Sequence, residues 1–339
     1  MLGRRLGLLV ATAVLASTSI GTAAKLINGA GATFPYPIYS KWFDEYRKVN
    51  SDVQINYQSI GSGGGIRQVL EGTVDFGASD GPMTDEQLGQ AKTPILHFPT
   101  VLGAVVATFN VPGVDQLKLT SDALAGIFLG KITMWNDPAL AKENPGVALP
   151  AQPIVPVHRS DGSGTTYVFV DYLSKVSPEW AKTVGRNTSV AWPVGLGGKG
   201  NEGVTGLVKQ TPNAIGYVEL VYAVQNKLPY ASMKNRAGRF VVPTLESVTA
   251  AAAGASMPAD FRVSITDAAA PEAYPIASFT WLLIPSTIAD AEKGKAIVHF
   301  LGWMLGEGQT YTKPLGYAPL PDAVIALERQ AIQKIRVGG

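Results

Sequence analysis

Val53-Gln54-Ile55-Asn56-Tyr57-Gln58-Ser59-Ile60-Gly61-Ser62-Gly63-Gly64-Gly65-Ile66-Arg67-Gln68-Val69-Leu70 changes its hydrophobic period in the middle. Val53, Ile55 and Tyr57 alternate with polar residues, the period of a half-buried strand, whereas Ile66, Val69 and Leu70 resume at helical spacing. The glycine cluster Gly61-Ser62-Gly63-Gly64-Gly65 joins the two. Upstream, Ile38, Tyr39, Trp42, Phe43 and Tyr46 follow one helical face, with Pro35 and Pro37 tolerable in a first turn. Downstream, Val74-Asp75-Phe76-Gly77-Ala78 reads as a strand leading into Ser79-Asp80-Gly81-Pro82. Pro153–Val157 reads as another, ending in His158-Arg159-Ser160-Asp161-Gly162-Ser163-Gly164-Thr165, and Phe169, Tyr172, Leu173 and Val176 mark the helix behind it. Short apolar strands alternating with amphipathic helices define an α/β fold. Ala250–Ala253 and Ala268–Ala270 read as helix and loop filler. Asp322–Arg336 reads as a closing helix with basic residues toward its end, as the helix dipole prefers. No repeat or long linker marks a domain boundary.

Composition narrows the class. Met1–Arg5 carries two arginines, Leu6–Ala16 is an apolar run too short to span a bilayer, and Ser17–Ala24 is small and polar. Residues 1–24 therefore read as a secretory signal peptide cleaved near Ala23 or Ala24. Of 339 residues this leaves 315, enough for about two domains at ~150 residues each. The 28 Lys+Arg fall to 26 without Arg4 and Arg5, equal to the 26 Asp+Glu, so the mature chain is neutral. Neutrality and the lack of a Lys/Arg-rich run argue against a nucleic-acid partner. With no cysteine there is no disulfide framework, no thiol nucleophile, no Cys-ligated zinc and no leader cysteine to acylate. Pro94–Pro112, the next most apolar stretch, holds His97, Pro99, Gly103 and Asn110, so it reads as buried strands and not a membrane span. The expectation is a soluble exported protein, most simply periplasmic.

Three places share one design, in which a strand or loop runs into small or hydroxyl residues and a helix follows. They are Gly29-Ala30-Gly31-Ala32-Thr33-Phe34, Gly61-Ser62-Gly63-Gly64 and Asp161-Gly162-Ser163-Gly164-Thr165. A helix N-terminus exposes unpaired N–H groups and partial positive charge, which suits an anion. Glycines allow close approach, and Thr33, Ser62, Ser163 and Thr165 add hydroxyls. Arg159, four residues before Ser163, supplies a planar fork that fits a tetrahedral oxyanion. Taken singly, each motif is equally an N-cap followed by a turn. Together they leave two readings open, an oxyanion site or three ordinary helix starts.

These segments also carry a resemblance. Gly29–Pro35, Tyr57–Gly64, Val74–Asp80 and Asp161–Thr165 closely resemble the phosphate-binding proteins of phosphate-specific ABC transporters. So do Trp192–Asn201, Ala214–Glu219 and Leu315–Pro321, and the likeness covers essentially the whole mature chain. It implies a type II periplasmic binding protein of two lobes, each a mixed sheet flanked by helices, with ligand held between them. Two crossover strands are implied near Val101–Asn110 and Tyr274–Ile284. Lobe I is then residues 25–103 plus 280–339, and lobe II residues 104–279. Carried over by position, the phosphate ligands are Thr33, Phe34 through its N–H, Ser62, Asp80, Arg159, Ser163, Gly164 through its N–H, and Thr165. Asp161 matches the acidic residue that pairs with the ligand arginine. Gly63 and Gly81 stand where relatives can carry Ser or Ala, and neither supplies a ligand side chain. His158 is expected to flank its strand at the surface. The resemblance implies no enzyme activity, no cofactor and no metal. Its partners are inorganic phosphate and the inner-membrane permease subunits of the transporter, and it implies a monomer.

Phosphate near neutral pH keeps at least one proton and sulfate keeps none. An all-donor cleft would hold either ion, whereas a buried acceptor, Asp80, accepts the phosphate proton and repels a sulfate lone pair. This weighs against a binder of sulfate or molybdate. A secreted serine hydrolase is a further reading, because Gly77-Ala78-Ser79-Asp80-Gly81 matches the G-x-S-x-G elbow with Ser79 as nucleophile. It needs a histidine base from among His97, His158 and His299, and Pro82 interrupts the strand-to-helix turn that the elbow requires. Gly195-Leu196-Gly197-Gly198-Lys199-Gly200 matches G-x-G-x-x-G after a strand-like Val190–Pro193, a weak dinucleotide signal in an exported chain. No histidine pair has metal-ligand spacing, and Asn187-Thr188-Ser189 is a chance sequon. A structural or adhesive envelope protein would leave the three helix starts unexplained.

Overall fold

The computed structural model describes residues 24–338. The expected leader therefore lies outside the described residues, except for Ala24. The fold is organised by one mixed sheet of eight strands. In chain order these are β1 (Lys25–Gly31), β2 (Val53–Ser59), β3 (Phe76–Ser79), β4 (Ile95–Asn110), β5 (Val155–Arg159), β6 (Leu196–Gly198), β7 (Ala214–Glu219) and β8 (Ala277–Pro285). Their spatial order is β2-β1-β3-β8-β4-β7-β5-β6. The pairs β1–β2, β1–β3, β5–β6 and β5–β7 are parallel, so helical crossovers must cover the faces. These are α1 (Tyr36–Val49), α2 (Ser62–Glu71), α3 (Gly164–Val176), α4 (Gly200–Gln210), α5 (Ala291–Met304) and α6 (Asp322–Ile332).

β4 makes this one sheet in two halves. Its first part, Ile95–Ala104, runs antiparallel to β8, and its second part, Val105–Asn110, runs antiparallel to β7. The stretch expected as several buried strands is this single strand of 16 residues. Pro99 is accommodated because the register slips there. Thr280 pairs with Val101 and Trp281 with Pro99, leaving Thr100 as an extra residue. Both expected crossover strands, near Val101–Asn110 and Tyr274–Ile284, are present as β4 and β8.

The helical faces follow the sequence pattern. Ile38, Tyr39, Trp42, Phe43 and Tyr46 of α1 are all buried against the first half-sheet, and Phe169, Tyr172 and Leu173 of α3 are buried in the second. Three boundaries differ from the sequence reading. β3 begins at Phe76, because Asp75 turns aside and its carboxylate accepts from the Asn28 N–H at 2.7 Å. Val190–Pro193 is irregular, and the strand is the glycine run Leu196–Gly198 itself. The closing helix stops at Ile332, since the Arg336 N–H bonds the Ser286 carbonyl and Arg336-Val337 pairs with Thr287-Ile288 as a strand. Among the described residues no helix is long and apolar enough to cross a membrane.

Candidate anion-binding site

Parallel strands point their C-terminal ends the same way, and ligands of open α/β sheets gather beyond those ends. Here two such ends face each other. β1, β2 and β3 deliver Thr33, Ser62 and Asp80 from one half-sheet, and β5 delivers Arg159 and the start of α3 from the other.

In the first half, Gly31 has φ +148° and any Cβ there would strike the Ala78 backbone, so the chain turns tightly into Thr33 and Phe34. Tyr222 donates to the Thr33 carbonyl at 2.5 Å and Tyr317 to the Phe34 carbonyl at 2.7 Å, pinning this turn. Gly61, at φ +88°, caps α2 without a side chain, which leaves the first N–H groups of α2 to other partners. Ser62 Oγ accepts from the Asp80 N–H at 3.2 Å, and Thr280 Oγ1 donates to Asp80 Oδ1 at 2.8 Å. Asp80 is 1% exposed, and burial pushes its carboxyl up to about 7 against the opposing pull of Thr280, Arg159 and Ser62.

In the second half, Arg159 is 3% exposed and forms a two-pronged pair with Asp161. Nε donates to Oδ1 at 2.8 Å and Nη2 to Oδ2 at 2.7 Å. Burial alone would raise the Asp161 carboxyl, but Arg159 and the Gly200 N–H outweigh it and hold it below the usual range. Nη1 turns the other way, donating to Thr165 Oγ1 at 3.3 Å. Ser163 caps α3, its Oγ accepting from the Thr166 N–H at 3.0 Å. A Cβ on Gly164 would run into Asp80 Oδ2 and Ser62 Oγ, so only glycine lets the two halves meet here.

The halves are closed on each other. The Gly63 N–H donates to the Gly162 carbonyl at 2.9 Å. Asn201, at the start of α4, donates through Nδ2 to Thr33 Oγ1 at 2.8 Å and to Thr165 Oγ1 at 3.1 Å. The structure thus brings Thr33, Phe34, Ser62, Asp80, Arg159, Ser163, Gly164 and Thr165 into one buried cluster with Asp161 beside it. Asn201 and Thr280 belong to it and were not singled out by sequence reasoning. Asn201 ends the Trp192–Asn201 segment quoted for the family likeness, whereas Thr280 carries no local signal. Glu219, at the end of β7, is a further buried carboxyl, pushed well up by burial, whose Oε2 accepts from the Val221 N–H at 2.8 Å.

Ser79 is engaged locally. Its Oγ donates to the Gly81 carbonyl, and each histidine is engaged with another group. His97 Nε2 accepts from the Met83 N–H at 3.1 Å, His299 Nδ1 meets the Tyr46 hydroxyl at 2.7 Å, and His158 stacks on Trp192 with ring centroids 4.8 Å apart. Gly195–Gly200 serves the neighbouring cluster, its Gly200 N–H donating to Asp161 Oδ1 at 3.0 Å. Among the described residues no three His, Cys, Asp or Glu side chains converge as a metal site. What remains is a set of hydroxyls, helix N–H groups and a guanidinium around the Asp80 carboxyl: chemistry that suits a tetrahedral oxyanion that still carries a proton.

A family model described as a PBP superfamily domain matches residues 16–307. The phosphate-binding protein PstS of Pasteurella multocida is 48% identical over 318 residues, covering 92% of this chain and 92% of that protein. The chain belongs to the PstS family of the PBP superfamily. The PstS protein of Haemophilus influenzae is 46% identical, over 89% of this chain and 91% of that one. A high-affinity periplasmic phosphate-binding protein (PfluDING), solved with phosphate bound at pH 8.5, matches with a TM-score of 0.75 at 25% identity, over 90% of this chain and 93% of that chain. As in the PstS family and the PBP fold, the two half-sheets are the cores of two lobes.

Proposed function

We propose that this chain is the solute-binding protein of a phosphate-specific ABC importer, capturing inorganic phosphate between its lobes and delivering it to the permease subunits in the inner membrane. One observation carries the reading: the buried carboxyl of Asp80 faces the Arg159 guanidinium and two helix starts across the lobe junction. The donors neutralise the anion, and Asp80 Oδ2 accepts the proton that phosphate keeps and sulfate lacks. Thr33, Phe34, Ser62, Asp80, Arg159, Ser163, Gly164 and Thr165 are the proposed contacts, with Asp161 holding Arg159 in orientation. This reading involves no chemistry on the ligand; Ser79 is turned to Gly81, and among the described residues no histidine is bonded to it. The protein acts as a periplasmic monomer after removal of residues 1–24. The lobes divide as 25–103 plus 280–339 and 104–279. In support, β4 changes partner between Ala104 and Val105, and Ser278 of β8 lies opposite Gly103.

Calorimetry on the purified mature chain tests the reading. One phosphate per chain is expected, with a Kd of about micromolar or tighter, roughly −8 kcal/mol or more favourable. Absence of binding at millimolar phosphate, or steady release of phosphate from an ester, would overturn it.

A further inference from the structure

Behind Asp80 runs a line of buried polar side chains that the ligand contacts do not use. Thr280 Oγ1 donates to Asp80 Oδ1 at 2.8 Å, the hydroxyls of Tyr39 and Thr100 meet at 3.0 Å, and Thr100 Oγ1 donates to the Thr280 carbonyl at 3.2 Å. Tyr39, Thr100 and Thr280 are all fully buried. Hydroxyls in such a core add little to stability over apolar groups of the same shape, so their presence asks for another reason. The backbone is irregular at the same point. Thr100 is the extra residue of the β4–β8 ladder, and a bulge of this kind bends a strand and re-aims its side chains, often beside a functional site. β8 also pairs with β3, Trp281 opposite Ser79, which sets Thr280 next to the position where Asp80 leaves the sheet.

We propose that Thr280 is a positioning residue for ligand selectivity, its hydroxyl holding one oxygen of Asp80 so that the other faces the ligand as an acceptor. This rests on the phosphate reading of the site. Oδ1 is taken by Thr280, and Oδ2 is the atom that a Cβ on Gly164 would strike, at the start of α3. A hydroxyl donating to a carboxylate favours its charged form. The titratable groups facing Asp80 are Arg159 from β5, Glu219 from β7, Tyr39 from α1, Tyr57 from β2 and Tyr317 before α6. Only Arg159 among them is a cation, and two of its nitrogens are already held by Asp161. Burial opposes the charged form, so the Asp80 carboxyl stands near 7, and Thr280 is the strongest of the groups that pull it down. Without that donor the carboxyl keeps its proton to higher pH. It then presents an O–H to the ligand, which a fully deprotonated anion such as sulfate accepts.

The test compares wild type, Thr280→Val and Thr280→Ser, measuring phosphate affinity and sulfate competition from roughly pH 5 to roughly pH 9. In Thr280→Val, sulfate is expected to compete at a pH about one unit higher than in wild type, and the phosphate-to-sulfate affinity ratio at about pH 8 to narrow about tenfold. Thr280→Ser, which keeps the donor, is expected to stay within about threefold of wild type. A purely structural role would lower the thermal midpoint of Thr280→Val and leave the ratio and its pH profile in place, and that result overturns the proposal. Should the valine variant fail to fold, Thr280→Ala takes its place with the same two outcomes. A wild type that binds no phosphate overturns the functional reading and this proposal with it. A wild type that binds phosphate, beside a variant with an unchanged pH profile, overturns the positioning role alone.

Discussion

Arg159 and Asp80 are buried to the same degree on opposite sides of the lobe junction, yet their charges are handled differently. Arg159 is paired within its own lobe, with Nε and Nη2 on Asp161 and Nη1 on Thr165. Asp80 has no ion pair among the described residues and relies on the Thr280 hydroxyl and the Ser62 hydroxyl bonded to its own N–H. The cation is thus assembled in advance, and the acid stays close to protonation near neutral pH. A paired guanidinium offers a fixed fork with little reorganisation on binding. A weakly compensated carboxyl, on the proposed reading, would instead make binding conditional on the ligand bringing a proton. On that reading, affinity would reside mainly in the second lobe and discrimination in the first.

The largest effect that would break this contrast is expected from Arg159→Met. Removing one partner of a buried charge pair leaves Asp161 unpaired and deletes the main attraction for the anion. Phosphate binding should fall by about 10³-fold or more in calorimetry, and a loss under about tenfold would mean that the cation is not where affinity resides. Asp80→Asn sharpens the other side. Phosphate can still donate to the amide oxygen, so its loss is expected at about 1–2 kcal/mol, while sulfate gains and the affinity ratio narrows. A ratio that stays constant or widens would transfer discrimination to cleft shape. The same variant reports on the cost of the buried acid. A folded-state value near 7, above the ordinary 3.8, means that the ligand-free wild type binds more protons folded than unfolded and loses stability as pH rises between those values. Ligand-free Asp80→Asn should therefore melt roughly 5–10 °C higher than wild type at about pH 8 and show no such gain at about pH 4. The smallest effect is expected from Ser79→Ala, which should keep phosphate affinity within about threefold, as one buried hydroxyl bond is lost. No fluorophosphonate labelling of wild-type Ser79 is expected, and covalent modification there would raise the hydrolase reading above the binder.

Local pattern was enough to find several of the elements around the site. Alternation at Val53–Tyr57 and the helical faces of α1 and α3 are legible because burial imposes periods of two and 3.6 on the chain itself. The three helix starts were visible for the same reason, since glycines and hydroxyl residues must sit where N–H groups are exposed. Boundaries set by distant partners were not visible: the closing helix stops where Arg336 finds Ser286, and Ile95–Asn110 is one strand because β8 and then β7 pair with it in turn.

The sequence by itself determined the α/β class, the hydroxyl-rich helix starts, and Arg159 four residues before Ser163; its pairing with Asp161 came only from the likeness to phosphate-binding proteins. Even there, residues alone left an oxyanion site and three ordinary N-caps open, and the likeness to phosphate-binding proteins chose between them. Only the tertiary structure decided what surrounds Asp80. Thr280 is 200 residues away in sequence, Asn201 reaches Thr33 across 168, and neither contact leaves a local period or motif. A carboxyl in a Ser-Asp-Gly-Pro turn is ordinarily a solvated cap. Bringing β8, β4 and α3 around it removes the water and raises its proton affinity, the condition that the proposed reading needs for an acceptor of the ligand's own proton.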